Sequence, residues 1–177
     1  MKQTFREVIQ YISDQSEYMV IGSFALHCFR SFPYSDDFDV SLYSKKTIRE
    51  WTKHFRAHGW KQTREFETQE KNTPIVTLEK DGTTLDLIYD PIIFQKYPAV
   101  TVTIARKKIH VISPEGSFLR KLSGAFQHPE RGKKRAWDFY GAMCLRNVVD
   151  EKKALKLFKK IYLTRPTKPL AQGNKIT

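Results

Sequence analysis

Two acids spaced two apart at the head of an apolar extended run constrain this chain more than any other feature. Asp37 and Asp39 bracket Phe38 in the stretch Asp37-Phe38-Asp39-Val40-Ser41-Leu42. Side chains along a strand alternate between faces, so both carboxylates project to one side, about 7 Å apart along the backbone, and Asp36 points the other way. Like charges so placed repel unless a cation compensates them, and a hard divalent ion does this through oxygen ligands. A third acid, Asp86, interrupts the otherwise apolar Leu85-Asp86-Leu87-Ile88. An ionised carboxylate between two leucines is costly unless paired or metal-bound. If the two strands are neighbours, Asp37, Asp39 and Asp86 form the acidic cluster that two-metal phosphoryl chemistry uses to hold attacking and leaving oxygens. Ahead of them a short apolar strand, Tyr18–Ile21, ends at Gly22-Ser23 before a helical segment. Glycine lets backbone approach a phosphate closely, and the N–H groups at a helix start, with the Ser23 hydroxyl, favour an anion. The order therefore reads as a phosphate site beside a metal site.

Periodicity places these residues in an α+β fold with a mixed sheet. Phe5, Val8, Ile9 and Ile12 recur at helical spacing and predict a helix over 3–13, with further helices over 24–30 and 46–58. Ser31 to Ser35, with Pro33, ends the second of these. Strands are expected at 18–21, 38–42, 75–79, 84–89, 100–104 and 108–112, the middle pair joined as a hairpin at Lys80-Asp81-Gly82. Ser113-Pro114-Glu115 reads as a helix start: a capping serine, proline at the first helical position and an acid in the first turn. A helix over 133–148 is expected to turn Ala136, Tyr140, Met143 and Cys144 inward, and a last helix covers 152–162. Phe118, Phe126, Trp137, Phe139 and Tyr140 fall at mostly helical spacing and are expected to pack in the core, with any exposed member serving as a nucleobase platform. The organisation expected is a core over 1–112, a helical part over 113–162 and a disordered basic tail over 163–177.

At 177 residues and 40% hydrophobic content the chain suits one soluble globular domain. No apolar run approaches the length of a membrane span, and the charged first residues do not form a signal peptide, so a cytoplasmic location without membrane contact is expected. Cys28 and Cys144 are the only cysteines and are expected to be free, buried thiols. His54 and His58, four apart on a helix, lack a third ligand and are read as surface residues. The formal charge of +12 lies wholly in one half: residues 1–100 carry 13 basic and 14 acidic side chains, residues 101–177 carry 18 and 5. Such a basic half commonly meets a polyanion, and a nucleotide, RNA, DNA or an anionic membrane surface all qualify, the alternative being a solvated basic surface with no partner.

The segment Ile21 to Tyr43 resembles the signature of the DNA polymerase beta-type nucleotidyltransferase superfamily, in which a Gly-Gly or Gly-Ser turn precedes an Asp-x-Asp strand and a third Asp follows on another strand. Gly22, Ser23, Asp37, Asp39 and Asp86 match those positions, and Ser35 matches a hydroxyl residue two before the first Asp. The segment from Ile109 to Phe126 is similar to its counterpart in minimal bacterial nucleotidyltransferases, including abortive-infection toxins of toxin–antitoxin systems; Lys121 and Asp138 match a helix lysine and a later aspartate of that group. The chain departs from the group at Pro33, where an arginine is usual, and at Arg135, where an aspartate is usual. The resemblance implies a nucleotidyltransferase-type mixed twisted sheet flanked by helices, with a small C-terminal helical part. It implies an NTP such as ATP with its triphosphate at Gly22, Ser23, Ser35 and Lys121. It also implies two Mg²⁺ ions, replaceable by Mn²⁺, at Asp37, Asp39 and Asp86, and further roles for Lys121 and Asp138. Basic Arg131, Lys133, Lys134 and Arg135 make an RNA acceptor, the 3′ end of tRNA, the expected partner, and a toxin role implies a cognate antitoxin. The alternatives are a protein or antibiotic-like small-molecule acceptor, or a non-catalytic RNA-binding module on the same scaffold.

Overall fold

The computed structural model describes residues 1–30, 32, 36–68, 73–127 and 132–163. The elements run α1 (Gln3–Ile12), β1 (Tyr18–Ile21), α2 (Gly22–His27), β2 (Asp37–Leu42), α3 (Lys45–Ala57), β3 (Lys61–Thr68), β4 (Thr73–Lys80) and β5 (Thr83–Tyr89). There follow α4 (Pro91–Lys96), β6 (Ala99–Ile104), β7 (Lys107–Ile112), α5 (Pro114–Gln127), α6 (Gly132–Leu145), α7 (Glu151–Phe158) and a π-helical turn, Lys159–Leu163. The seven strands form one mixed sheet in the order β3-β4-β5-β2-β1-β7-β6. β2 runs antiparallel to β1 and parallel to β5, and β1 runs parallel to β7.

Alternation along β2 divides the molecule into two layers. Phe38, Val40 and Leu42 are fully buried, and Phe38 packs against Phe5 of α1 and Phe24 of α2 with ring centroids 5.4 and 4.6 Å away. On α3, Trp51 and Phe55 are buried and meet Tyr11 of α1 edge-on at 5.3 and 5.1 Å. Burying aromatic rings of this size supplies most of the hydrophobic driving force for this layer. Asp37, Asp39 and Ser41 occupy the opposite face, which α5 and α6 approach.

Several helix ends are fixed by short side-chain caps. Ser44 accepts from Thr47 N at 3.1 Å, Asp90 from Ile93 N at 3.2 Å and Asp150 from Lys153 N at 3.1 Å. At α5 the expected cap is present: Ser113 Oγ accepts from Gly116 N at 3.1 Å, with Pro114 at the first helical position.

The C-terminal helices depart from the expected packing. The inward face of α6 is Asp138, Gly141, Ala142 and Leu145, whereas Ala136, Tyr140 and Met143 face out and Cys144 is half-buried. Small residues decide this rotation: a Cβ at Gly141 would stand 2.9 Å from Leu26 Cδ2, and one at Gly124 would stand 2.7 Å from Asp138 Oδ2. Only a glycine-lined seam lets α6 approach α2 and α5 so closely. The expectation that the aromatics here are core holds only in part: Phe118 is half-buried and packs against the core, Trp137 and Tyr140 are exposed yet rest on buried Phe32 at 5.2 and 5.6 Å, and Phe126 and Phe139 are exposed. The helix expected over 24–30 begins two residues earlier, directly at the end of β1, and the one expected over 152–162 divides into α7 and the π-helical turn. β3 and α4 were not expected. Of the tail only Leu163 is described, closing that last turn; the rest lies outside the described residues. Both cysteines are free. No described helix is long and apolar enough to cross a membrane.

Candidate active site

Strand pairing brings the three acids together. In the parallel β2–β5 ladder Asp39 stands opposite Asp86 and Asp37 opposite Thr84, so the Asp39 and Asp86 backbones are about 4.8 Å apart and their side chains share a face. Thr77, opposite Asp86 on β4, donates its hydroxyl to Asp86 Oδ1 at 2.6 Å. Asp37 is exposed at the start of its strand, and Asp39 and Asp86 are half-buried.

Gly22 lies against this cluster. It is the first residue of α2, directly after β1, its φ of +72° belongs to the left-handed region, and a Cβ there would collide with the Asp39 carboxylate. Both the backbone conformation and the space demand glycine. Ser23 follows in the first turn of α2 and is buried.

These groups form one wall of a cavity of about 830 Å³, within the size range of small-molecule sites. The other wall is helical: Ser117, Arg120, Lys121 and Gly124 of α5, and Lys133, Lys134, Trp137 and Asp138 of α6. Lys121 donates to Asp138 Oδ1 at 2.6 Å, and both side chains are largely withdrawn from solvent. Short charge-assisted contacts of this kind fix both partners.

The electrostatics join the walls. Burial, with the nearby Asp86 and Asp37 charges, raises the Asp39 carboxyl from 3.8 to about 6, opposed by Lys121 and Arg120. Burial also raises Asp86, opposed by the Thr77 hydrogen bond, while Asp37 adds to the rise. Carboxylates that resist ionising together are a place where a bound cation would be favourable.

An all-oxygen donor set suits a hard ion such as Mg²⁺. Among the described residues no three His, Cys, Asp or Glu side chains converge tightly enough to cage an ion unaided. Mg²⁺ takes one or two carboxylates and completes its shell with substrate phosphates and water. Asp39, with Asp37 or Asp86 beside it on the same face, could supply those carboxylates.

Of the residues expected from sequence, Gly22, Ser23, Asp37, Asp39, Asp86, Lys121, Lys133, Lys134 and Asp138 line this one cavity. Arg135 is exposed and does not line it. Ser35, Pro33 and Arg131 lie outside the described residues. Sequence reading missed Ser117, Arg120 and Gly124. Ser117, Lys121 and Gly124 recur at helical spacing, and this stripe of small and polar residues is the signal that could have found them. Cys28 is not a nucleophile candidate, since burial pushes its thiol up to about 12. His54 stacks on Tyr11 at 3.7 Å, and His58 bonds the His54 carbonyl at 2.8 Å; among the described residues they form part of no metal site.

No protein-family model matches the chain, and no curated protein matches it. Solved structures share its fold. The antibiotic-resistance factor ANT(2'')-Ia in solution superposes with a TM-score of 0.63 at 16% identity, covering 90% of this chain and 92% of that one. ANT(2'')-Ia crystallised with adenylyl-2''-tobramycin gives 0.62 at 14%, covering 87% and 92%. An antigenic nucleotidyltransferase-like protein from Paracoccidioides brasiliensis gives 0.55 at 16%, covering 88% and 85%. The chain therefore has the nucleotidyltransferase fold, as its sequence resemblance implied.

Proposed function

We propose that the protein transfers an NMP group from an NTP to an acceptor hydroxyl. The observation that carries this reading is the register of β2 on β5, which sets Asp39 beside Asp86 with Asp37 on the same face, across a cavity from Arg120, Lys121, Lys133 and Lys134. One wall is fit to hold divalent cations, and the other is fit to hold polyphosphate.

Gly22 and Ser23 bind the triphosphate through backbone N–H groups at the start of α2. Lys121, held by Asp138, and Arg120 offset its charge. Mg²⁺ bound by Asp37, Asp39 and Asp86 would stabilise the charge developing on the phosphoryl oxygens. Asp86 takes the proton of the acceptor hydroxyl, its carboxylate oriented by Thr77. The freed oxygen attacks the α-phosphorus in line, the bond to the bridging oxygen breaks, and pyrophosphate leaves. Packing of α6 on α5 screens the phosphates from bulk water.

RNA, and the 3′ end of tRNA in particular, is the acceptor this reading favours. Lys133 and Lys134 at the cavity mouth extend the basic charge beyond what one triphosphate needs. A small polyhydroxylated acceptor is the second reading, because ANT(2'')-Ia of the same fold was crystallised with adenylyl-2''-tobramycin.

Incubating wild type and Asp37→Ala with Mg²⁺, each α-labelled NTP in turn, and either total tRNA or an aminoglycoside separates these readings. Label in RNA with wild type alone is the expected result. Label in the aminoglycoside would transfer the assignment to the second reading, and no nucleotide binding at all would leave a non-catalytic RNA-binding module. If tRNA is modified in the cell, expression of wild type arrests bacterial growth and expression of Asp37→Ala does not. A cognate antitoxin would then be a protein whose co-expression restores growth.

A further inference from the structure

We infer that Ser117 is a substrate-binding residue whose hydroxyl donates a hydrogen bond to the triphosphate of the bound NTP. The inference rests on the nucleotidyl-transfer reading above and adds a residue that neither the sequence pattern nor the resemblance singled out.

Ser117 is 2% exposed, and its Oγ has no hydrogen-bond partner among the described residues. It nevertheless lines the same cavity as Gly22, Asp37, Asp39 and Asp86. Buried hydroxyls are normally satisfied, and one left unpaired lowers stability. A helical serine usually bonds back to the carbonyl four residues earlier. Here the Ser113 carbonyl accepts the Ser117 backbone N–H at 2.8 Å, while the Ser117 hydroxyl does not join it. The Oγ itself is shielded from solvent while its residue borders the cavity; a side-chain rotation would bring this orphaned donor to the wall, where a ligand supplies the missing acceptor.

Topology identifies the part of the ligand. β1 and β7 are parallel neighbours with Val20 opposite Val111, so the chain leaves both strands at the same end of the sheet. Gly22-Ser23 follows one strand and the first turns of α5 follow the other. Ser117 thus faces the region assigned to the phosphates, and Lys121 stands one helical turn further along the same face of α5. The neighbouring groups there are the N–H groups that open α2 and the cations Arg120 and Lys121. Lys121 is balanced by Asp138, and Arg120 is only loosely paired, with Asp90 at 3.9 Å. Together they suit a ligand made of acceptors. Phosphate oxygens meet that requirement.

A control comes from the same structure. Ser41 Oγ is also fully buried and unpartnered, but Ser41 does not line the cavity. Both hydroxyls are costly to the free protein, and only one is repaid by a ligand.

The test compares wild type with Ser117→Ala, Ser117→Cys and Ser41→Ala. Calorimetric binding of each of the four NTPs and of inorganic triphosphate is measured with Mg²⁺, and the melting temperature is measured without ligand. Ser117→Ala is expected to weaken both NTP and inorganic triphosphate binding about tenfold, the scale of one hydrogen bond to a charged acceptor. Its ligand-free Tm is expected to hold or rise by about 2–4 °C, because an unpaired hydroxyl has been removed. Ser117→Cys, which keeps the volume with a weak donor, should weaken binding similarly, and Ser41→Ala should leave binding unchanged. Ser117→Ala binding within twofold of wild type would overturn the inference and leave the transfer reading standing. Weakened binding with a lowered ligand-free Tm would make Ser117 a packing residue and overturn it as well. Loss confined to NTPs, with inorganic triphosphate bound normally, would overturn the phosphate assignment. A wild type that binds no NTP would overturn both the inference and the reading beneath it.

Discussion

The two walls of the cavity hold their charges by different means. On the sheet wall, Asp39 and Asp86 are set by strand register, with hydrogen-bonded neighbours on both sides. On the helical wall, Lys133 and Lys134 sit exposed in the first turn of α6, whereas Lys121 is tied down by Asp138 and Arg120 lies over the Tyr97 ring with Asp90 at 3.9 Å. Burial raises the Asp39 carboxyl first, and the Asp86 and Asp37 charges, fixed in the ladder and unable to relax away, add to the rise. Exposed lysines reorient freely and are screened by salt. The comparison teaches a division of labour, in which the acids demand exact placement and the bases supply an adaptable field.

Breaking the rigid wall should have the largest effect. Asp37→Ala, and Asp86→Asn at the proposed proton acceptor, should each lower nucleotidyl transfer by at least about 10³-fold with little change in Tm, as measured by label transfer and thermal melting. Gly22→Ala attacks the same wall through the backbone. It should destabilise the protein by about 2–4 kcal/mol, because a Cβ meets the Asp39 carboxylate in a left-handed conformation; a denaturant midpoint equal to wild type would show that the two residues do not press on each other.

The tightest ion pair of the helical wall comes next. Lys121→Met should cost about 2–3 kcal/mol by stranding Asp138. Combining it with Asp138→Leu should restore most of that stability while transfer stays impaired, a contrast that separates the structural from the chemical part of the ion pair.

The sign of the Asp39 shift gives a fourth prediction. Its folded value of about 6 lies above the unfolded value of 3.8, so the folded state binds the proton more tightly. Without metal, this group favours folding at pH below about 4 and opposes it once pH rises through about 6. In chelator at pH 7.5, Asp39→Asn should melt above wild type by roughly 5 °C, and the advantage should vanish near pH 4. Added Mg²⁺ should raise the wild-type Tm at pH 7.5 and leave the variant less affected. Smallest of all, Lys133→Ala and Lys134→Ala should each weaken RNA binding by only about three- to tenfold and flatten its salt dependence. A loss as large as that at Asp37 would end the distinction between the two walls.

The sheet was legible because its signal is local. Alternation in β2, β4, β5 and β7 appears within each segment, and the Ser113-Pro114-Glu115 start of α5 is a short-range cap. β3 escaped because Lys-Gln-Thr-Arg-Glu-Phe-Glu-Thr is a polar edge strand with almost no apolar alternation. α6 was assigned the wrong face for the opposite reason. Its aromatics, Trp137, Phe139 and Tyr140, carry a strong hydrophobic signal yet point outward, because Gly124 and Gly141 create a seam that accepts only small residues and Asp138. The candidate site was readable at its acids and its glycine; Ser117 showed only as one member of a helical stripe with Lys121 and Gly124, and that its hydroxyl lacks a partner was not readable.

By itself the sequence determined which side chains share a strand face and where a turn must be glycine, since the two-residue period and the left-handed φ are properties of the local chain. Only the tertiary structure decided that β2 lies beside β5, that Lys121 is held by Asp138, and that the Ser117 hydroxyl is left without a partner beside the cavity. Those are outcomes of non-local pairing, in which residues tens of positions apart compete for the same neighbour, and no local pattern records which competitor wins.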